Sequence, residues 1–360
     1  MPFSQIRNTF GELEEDWVLG LEVTGRYRYP PPDPRWLARG IETVIEPELA
    51  IVDAHHHLWV EGGHPYLLDE LGDDLASGHR IIATVFVQAG FGYREDGPAH
   101  LRSVGETASV EALRQVAAMR AIPVAAGIVG FVDLTLGDRV DEQLDAHAAA
   151  SPVFRGVRHS VAVDSAFPEG IVVRPAPPHL LADPDYRDGL RRVARRGLSY
   201  DAMLYHRQIP ELTALARALP ELRIVLDHFG CPLGVGPYAD NRAELFAQWR
   251  TDIAELAQCD NVFAKLGGLG MIVCGATWHE RPDPPGSVEL AAAWQPWIDE
   301  CIAAFGPARC MFESNFPVDK AMVSYRTLWN AFKRASAGLS NTEREHLFRG
   351  TATSFYRLER

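Results

Sequence analysis

From residue 50 onward, short runs rich in β-branched and apolar residues alternate with longer amphipathic stretches, and the alternation repeats eight times. The strand-like runs are 50–54, 81–89, 124–132, 154–161, 198–204, 223–228, 262–266 and 310–316. The helical stretches are 110–121, 139–149, 184–196, 210–218, 242–258, 287–305 and 321–335, with a last helix over 342–349 capped by Asn341. Eight such repeats predict an α/β protein of the (β/α)8 TIM-barrel class. An open doubly wound sheet would carry a glycine-rich turn after its first strand. Here the first run ends Asp53-Ala54-His55-His56-His57, and no such turn follows. The chain has 360 residues, 47% of them hydrophobic, enough for one large core. Residues 49–360 are expected to form the barrel and residues 1–48 an N-terminal extension. Within the extension, Tyr29-Pro30-Pro31-Pro32-Asp33-Pro34 is too proline-rich for a helix interior or a central strand.

Composition excludes several functions. The formal charge is −13, which argues against nucleic acid as a partner, because phosphate binding needs a basic face. It leaves room for a small anionic substrate held by a few arginines. No apolar run reaches the ~18 residues that span a bilayer, so no membrane association is expected. The first residues are polar and acidic, unlike a signal peptide, and a cytoplasmic location is expected. The five cysteines are odd in number and form no CxxC, so neither a disulfide frame nor a zinc ribbon is indicated. Oligomeric state is open; the proline-rich arm could lie across a partner subunit.

The ends of the strands hold the candidate chemistry, because barrel enzymes place their sites there. Side chains two apart on a strand share a face. His55 and His57 should therefore both face the barrel interior at the mouth, with Asp53 one layer deeper and His56 pointing out. Two such imidazoles can ligate a metal or bond a substrate carbonyl. Gln88, on the face of Thr84 and Phe86, could bond a substrate hydroxyl. Arg155 and Arg158 are three apart, so only one can point inward. Arg158 and His159 lie closer to the mouth, where Arg158 could hold a substrate carboxylate through two parallel bonds. Asp201 on the fifth strand and His206 in the following loop are further candidates. Lys265 shares an inward face with Phe263 and Gly267; a buried lysine must be paired, and Glu313 on the eighth strand is a plausible partner. The long stretches 164–183 and 270–285 follow the fourth and seventh strands and should overlie the catalytic face.

Ile51-Val52-Asp53-Ala54-His55-His56-His57-Leu58-Trp59 resembles the first-strand HxH signature of the amidohydrolase superfamily. The chain is similar in particular to the branch that holds sugar-lactone and pyrone-dicarboxylate lactonases. Phe154-Arg155-Gly156-Val157-Arg158-His159, Leu198-Ser199-Tyr200-Asp201, Ile224-Val225-Leu226-Asp227-His228-Phe229-Gly230 and Met311-Phe312-Glu313-Ser314-Asn315-Phe316-Pro317 agree in order, so the resemblance spans roughly residues 50 to 358. It implies a hydrolase in which His228, at the end of the sixth strand, binds metal or substrate; Asp227 beside it should face the helices. His55, His57 and His228 would be the ligands of one divalent ion, zinc or manganese, if a metal is held.

The eighth strand departs from the pattern. The family commonly ends it with an aspartate that serves as general base, and here the matching residue is Asn315. A carboxamide cannot accept that proton, though it can orient water or donate to an oxyanion. Glu313, one layer deeper on the same face, and Asp319, just past the strand, compete as the replacement base. Loss of the aspartate also weakens a metal site of the usual type, and some members of this branch work without metal, which tilts the expectation toward no tightly bound ion. The leading reading is hydrolysis of a lactone or related small molecule by water attack on a carbonyl held by His55, His57 and His228. The alternatives are a metal-dependent decarboxylase or hydratase of an aromatic or unsaturated acid, and a non-catalytic barrel that has lost its base.

Overall fold

In this computed structural model, which describes residues 29–61, 64–171 and 175–358, each of the eight apolar runs contributes a strand. The strands are β1 (Ala50–His56), β2 (Arg80–Val87), β3 (Gly127–Gly130), β4 (Phe154–Val157), β5 (Ser199–Ala202), β6 (Arg223–Leu226), β7 (Val262–Leu266) and β8 (Cys310–Phe312). All pair in parallel and in sequence order. The backbone N–H of Asn315 donates to the His55 carbonyl at 2.9 Å, and that of His57 to the Phe316 carbonyl at 2.7 Å. These bonds join the last strand to the first and close the barrel. The paired segments are mostly shorter than the apolar runs, because the strand ends peel away from the ladder into loops.

A helix follows each strand: α1 (Leu68–Leu75), α2 (Val104–Met119), α3 (Arg139–Ala150), α4 (Pro184–Arg195), α5 (Ile209–Ala218), α6 (Arg242–Leu256), α7 (Ser287–Phe305) and α8 (Tyr325–Ala335). The sequence pattern missed α1, which is only eight residues long and buries Leu68, Leu71 and Leu75. It also missed the antiparallel ribbon of Trp59–Glu61 with His64–Tyr66. The last expected helix is a composite of Asn341–Glu345, a π-helical turn His346–Gly350 and Thr351–Phe355. Its cap is Ser340, in a capping box with Glu343, rather than Asn341.

Two apolar layers fix the strands. Outward-facing residues such as Ile51, Phe86, Ile128, Tyr200, Leu226 and Phe312 pack under the helices. Inward-facing Val52, Ala54, Val85, Val87, Val129, Val225 and Met311 fill the barrel. Phe355, Tyr356 and Leu358 of the C-terminal segment join this inner cluster, so the chain end packs against the barrel interior. All five cysteines are free and buried. No helix among the described residues is long and apolar enough to cross a membrane.

Of the N-terminal extension, residues 1–28 lie outside the described part. The remainder packs on its own barrel. A one-turn helix, Pro34–Leu37, starts with its proline at the first position, where no N–H is needed, and Asp33 caps it. Trp36 and Leu37 are buried, and the Trp36 indole donates to the Arg281 carbonyl at 2.8 Å. Further along, Asn330 of α8 bonds Glu42, Thr43 and Ile45, and the Lys333 ammonium donates to the carbonyls of Ile45 and Glu46. Residues 33–48 therefore bind their own α8 and the loop before α7.

Candidate active site

The alternation that placed His55 and His57 on one inward face needs a correction at Asp53. Ala54, not Asp53, fills the barrel interior. Asp53 points toward α8 and accepts from the Ser314 backbone at 2.8 Å and the Tyr325 hydroxyl at 2.9 Å. The register of β1 against β2 shifts between Asp53 and His56. That bulge resets the phase, so His55 and His57 both turn inward while His56 bonds Thr84 on the outside at 2.9 Å.

His55 is the hub. Its Nε2 lies 3.1 Å from His57 Nε2, and its Nδ1 lies 3.0 Å from the Lys265 ammonium and 3.0 Å from Glu313 Oε2. His57 Nδ1 faces the Val87 carbonyl at 2.8 Å, which fixes the ring proton there and leaves Nε2 as an acceptor. Burial, with Lys265 and Arg158 respectively adding to it, holds both imidazoles well below their usual pKa, so both are neutral. Lys265 donates to His55 Nδ1, so the single His55 ring proton belongs on Nε2, aimed at His57. Glu313 Oε2 is then left without a donor, in agreement with its lack of a hydrogen-bond partner among the described residues.

His228 behaves oppositely. Burial alone would lower it, but the Glu313 carboxylate at 2.7 Å from its Nδ1 reverses the direction and raises it. In return, His228 overcomes the burial of Glu313 and holds its carboxyl down at about 2. Glu313, expected as a replacement base, is thus an ionised partner of His228. The backbone is left-handed at His228 (φ 53°), Phe229 (φ 56°) and Asn315 (φ 56°), unusual for non-glycine residues and concentrated at this site.

Asp227, two residues beyond inward-facing Val225, faces the site rather than the helices, and the turn that follows brings His228 in beside it. Its Oδ1 lies 2.9 Å from Lys265 and its Oδ2 3.7 Å from Arg158. Lys265 therefore pairs with Asp227 and, at 2.7 Å, with Asp201, not with Glu313. Burial would lower Lys265, but the two aspartates raise it; Asp227 in turn is lowered despite its burial. Tyr356 donates to Asp201 at 2.6 Å, completing a charged floor beneath His55.

Asp319 and Asn315 are bonded to each other: the Asn315 carboxamide donates to Asp319 Oδ1 at 2.9 Å, and the Gly270 backbone donates to Oδ2 at 3.0 Å. Burial outweighs these donors and pushes Asp319 up to about 7. Arg158 is the inward arginine. Its Nη2 donates to the carbonyl of Gln88 and, at 3.3 Å, to its side chain; its Nη1 lies 3.4 Å from His55 Nε2. Gln88 reaches Arg158, although Thr84 and Phe86, taken as its face-mates, point outward against His56 and the outer core. Two further sequence candidates bond loop backbone. His159 accepts from the Leu134 backbone at 3.2 Å and packs on Phe131 and Tyr186. His206 accepts from Leu233 at 3.3 Å, edge-on to Tyr238.

His55, His228 and Glu313 bring one potential ligand atom each to within 4.8 Å of one another. Two imidazoles and a carboxylate suit zinc or manganese, and the partnerless Glu313 Oε2 is an atom a cation would satisfy, so these residues fit a divalent ion. This set differs from the expected one by replacing His57 with Glu313. The two fixed cations near His55, Lys265 and Arg158, oppose such an ion.

Comparisons with known proteins identify the family. A family profile described as amidohydrolase matches residues 52–358. The uncharacterized protein y4mH of Sinorhizobium fredii is 34% identical over 86% of this chain and 99% of its own length. An L-fucono-1,5-lactonase of Burkholderia ambifaria is 27% identical over 86% of this chain and 96% of its own. A crystal structure of an amidohydrolase from Burkholderia multivorans with bound zinc superposes with a TM-score of 0.67 at 26% identity, covering 86% of this chain and 100% of that one. The chain belongs to the amidohydrolase family and is a hydrolase.

Proposed function

We propose that the protein hydrolyses a small cyclic ester, a lactone, by water attack on its carbonyl. The observation that carries this reading is a carboxyl and an imidazole that both hold their protons more tightly than usual: Asp319, pushed up to about 7 by burial, and His228, raised by the Glu313 carboxylate 2.7 Å from its Nδ1. A carboxylate poised near neutrality is a suitable general base, and an imidazolium is a suitable donor to a developing oxyanion. Asp319 takes a proton from water as the oxygen adds to the lactone carbon. His228 stabilises the charge gathering on the carbonyl oxygen. As the ring C–O bond breaks, the proton held by Asp319 passes to the departing alkoxide, giving a hydroxy acid. His57 and Arg158 line the same mouth as neutral and cationic polar groups. Asn315 orients Asp319, which restores the base that the asparagine itself cannot supply. The lactonase-named relatives support the substrate class.

A divalent ion held by His55, His228 and Glu313 would supply Lewis-acid polarisation of a carbonyl or water. Lys265 and Arg158 place two positive charges within 3.4 Å of His55, so we expect any such ion to be held weakly. Elemental analysis of protein purified without chelator should find no stoichiometric metal, and chelation should leave lactone turnover intact. One zinc or manganese per chain, with activity lost on its removal, overturns this and makes the three residues ligands. Carbon dioxide release from an aromatic acid, with no lactone opened, would replace the hydrolase chemistry with decarboxylation.

A further inference from the structure

The loops over the mouth form their own apolar cluster, separate from the barrel core. It contains Phe167, Tyr205, Met271, Val273, Cys274 and Val318, drawn from the segments after β4, β5, β7 and β8. Trp59, after β1, packs on it and stacks parallel to the His57 ring, with centroids 6.2 Å apart. The roof of the site is therefore apolar, while its floor is charged. Tyr29 also packs on this cluster, and its hydroxyl meets the Met271 sulfur at 3.9 Å. Burial raises its phenol, and the Cys231 and Cys274 thiols and the Asp319 carboxylate add to that rise while Arg158 opposes it. Tyr29 thus belongs to the apolar roof over the mouth, though it lies 23 residues before the matched family region begins at residue 52.

The segment that delivers Tyr29 is anchored. Trp36 is buried and bonded to Arg281 in the loop before α7, Arg39 pairs with Asp283 at 3.8 Å, and Glu42 accepts from Asn330 at 3.1 Å. A side chain on Gly40 would meet Pro284 at 2.5 Å, so backbone and loop are in close contact. Residues 29–48 form a strap that binds α8 and the loop before α7 and reaches the mouth at Tyr29. Relatives covered over 99% and 100% of their own length match only 86% of this chain.

We propose that this strap is a wall of the substrate pocket and that Tyr29 is a specificity-determining residue, restricting the site to compact cyclic esters whose non-reacting side is apolar. The substrate class rests on the lactonase reading; the closure by the strap does not. The apolar roof has little with which to hydrogen-bond a polyhydroxylated ring, and desolvating such hydroxyls without partners is unfavourable. An aliphatic or aromatic face, in contrast, gains burial against Tyr29 and Met271.

Full-length Tyr29→Ala and Trp36→Ala test this together, the second loosening the strap from a point away from the site. Two readouts are taken: kcat and KM on lactones with alkyl, aryl or hydroxylated sides, and the rate at which N-ethylmaleimide labels Cys231 and Cys274, located by mass spectrometry. Both variants should raise KM for compact apolar-sided lactones about tenfold with kcat within about twofold, as expected for lost binding of roughly 1.4 kcal/mol that is uniform along the reaction. They should also narrow the preference over hydroxylated lactones and speed labelling of both thiols. Faster labelling with unchanged KM in active enzyme overturns the role in specificity. Unchanged labelling and unchanged KM in both variants overturn the strap as a wall. If the wild-type protein opens no lactone, the lactonase reading fails, and the labelling rates alone decide whether the strap closes the mouth.

Discussion

Asp319→Asn should lower kcat by about 10²–10⁴, the usual loss when a general base is removed, with little change in KM. The amide keeps the shape of the carboxyl, and its oxygen can still accept from Asn315 or Gly270. In the wild-type protein the active form is ionised Asp319, whose pKa burial pushes up to about 7 against the donors around it. Its kcat/KM should therefore rise with pH through about 7 and level above it. In the variant that limb should vanish. Stability moves the other way. A carboxyl raised from 3.8 to about 7 by folding contributes stability at low pH that is lost as pH rises through the folded value. The neutral amide avoids that loss, so the variant should melt higher than the wild type above pH 7 and show little such gain near pH 4. Loss of activity with a gain in stability separates removal of a base from misfolding. A variant within tenfold of wild-type kcat would place the base elsewhere, and Glu313→Gln would be the next substitution to measure.

Much of this site was legible in the sequence because strand ends and period-2 alternation carry it. His55, His57, Arg158, Asp201, Lys265 and Glu313 each sit on an inward face at the end of a strand, and they converge within a few ångströms. The alternation failed where the backbone leaves the strand conformation. Alternation from inward Val52 and Ala54 leaves Asp53 outside and a bulge after it brings His55 in, while alternation from inward Val225 places Asp227 inside and the left-handed turn that follows brings His228 in beside it. Neither event has a signature in apolar periodicity. The same lack of a signal hid the partners. Lys265 had several candidate carboxylates, and only the three-dimensional register shows that Asp201 and Asp227 hold it while Glu313 is drawn to the histidines. His159 and His206 both follow strands, and each accepts from a loop backbone, a contact that periodicity does not foretell. Tyr29 was beyond reach of the pattern altogether, since it arrives from a proline-rich segment with no periodicity.

The largest effect on stability is expected at Lys265. Its ammonium is fully buried, paired with Asp201 at 2.7 Å and Asp227 at 2.9 Å, and both carboxylates are fully buried too. Replacing a buried pair as a whole is often tolerated, but removing one partner strands the other charges without water or counter-ion. Lys265→Met keeps the length and apolar stem of the side chain and deletes only the charge, so it isolates this term. We expect a loss of about 3–5 kcal/mol in urea unfolding at neutral pH. The sign of its pH dependence follows from the aspartates. In the wild type, Lys265 is raised and its contribution persists until alkaline pH; Asp227 is lowered and stays ionised. In the variant, both carboxylates lose their cation and take up protons more readily in the folded state, so the deficit should be greatest at neutral pH and shrink toward acid. Adding Asp201→Asn to Lys265→Met removes one stranded charge and should recover part of the loss, although the single Asp201→Asn change is itself destabilising. A non-additive pair of this kind would establish the floor beneath His55 as one electrostatic unit. A loss below about 1 kcal/mol, the range of exposed ion pairs, would instead mean that water reaches these carboxylates and that the charges beneath His55 are separately solvated.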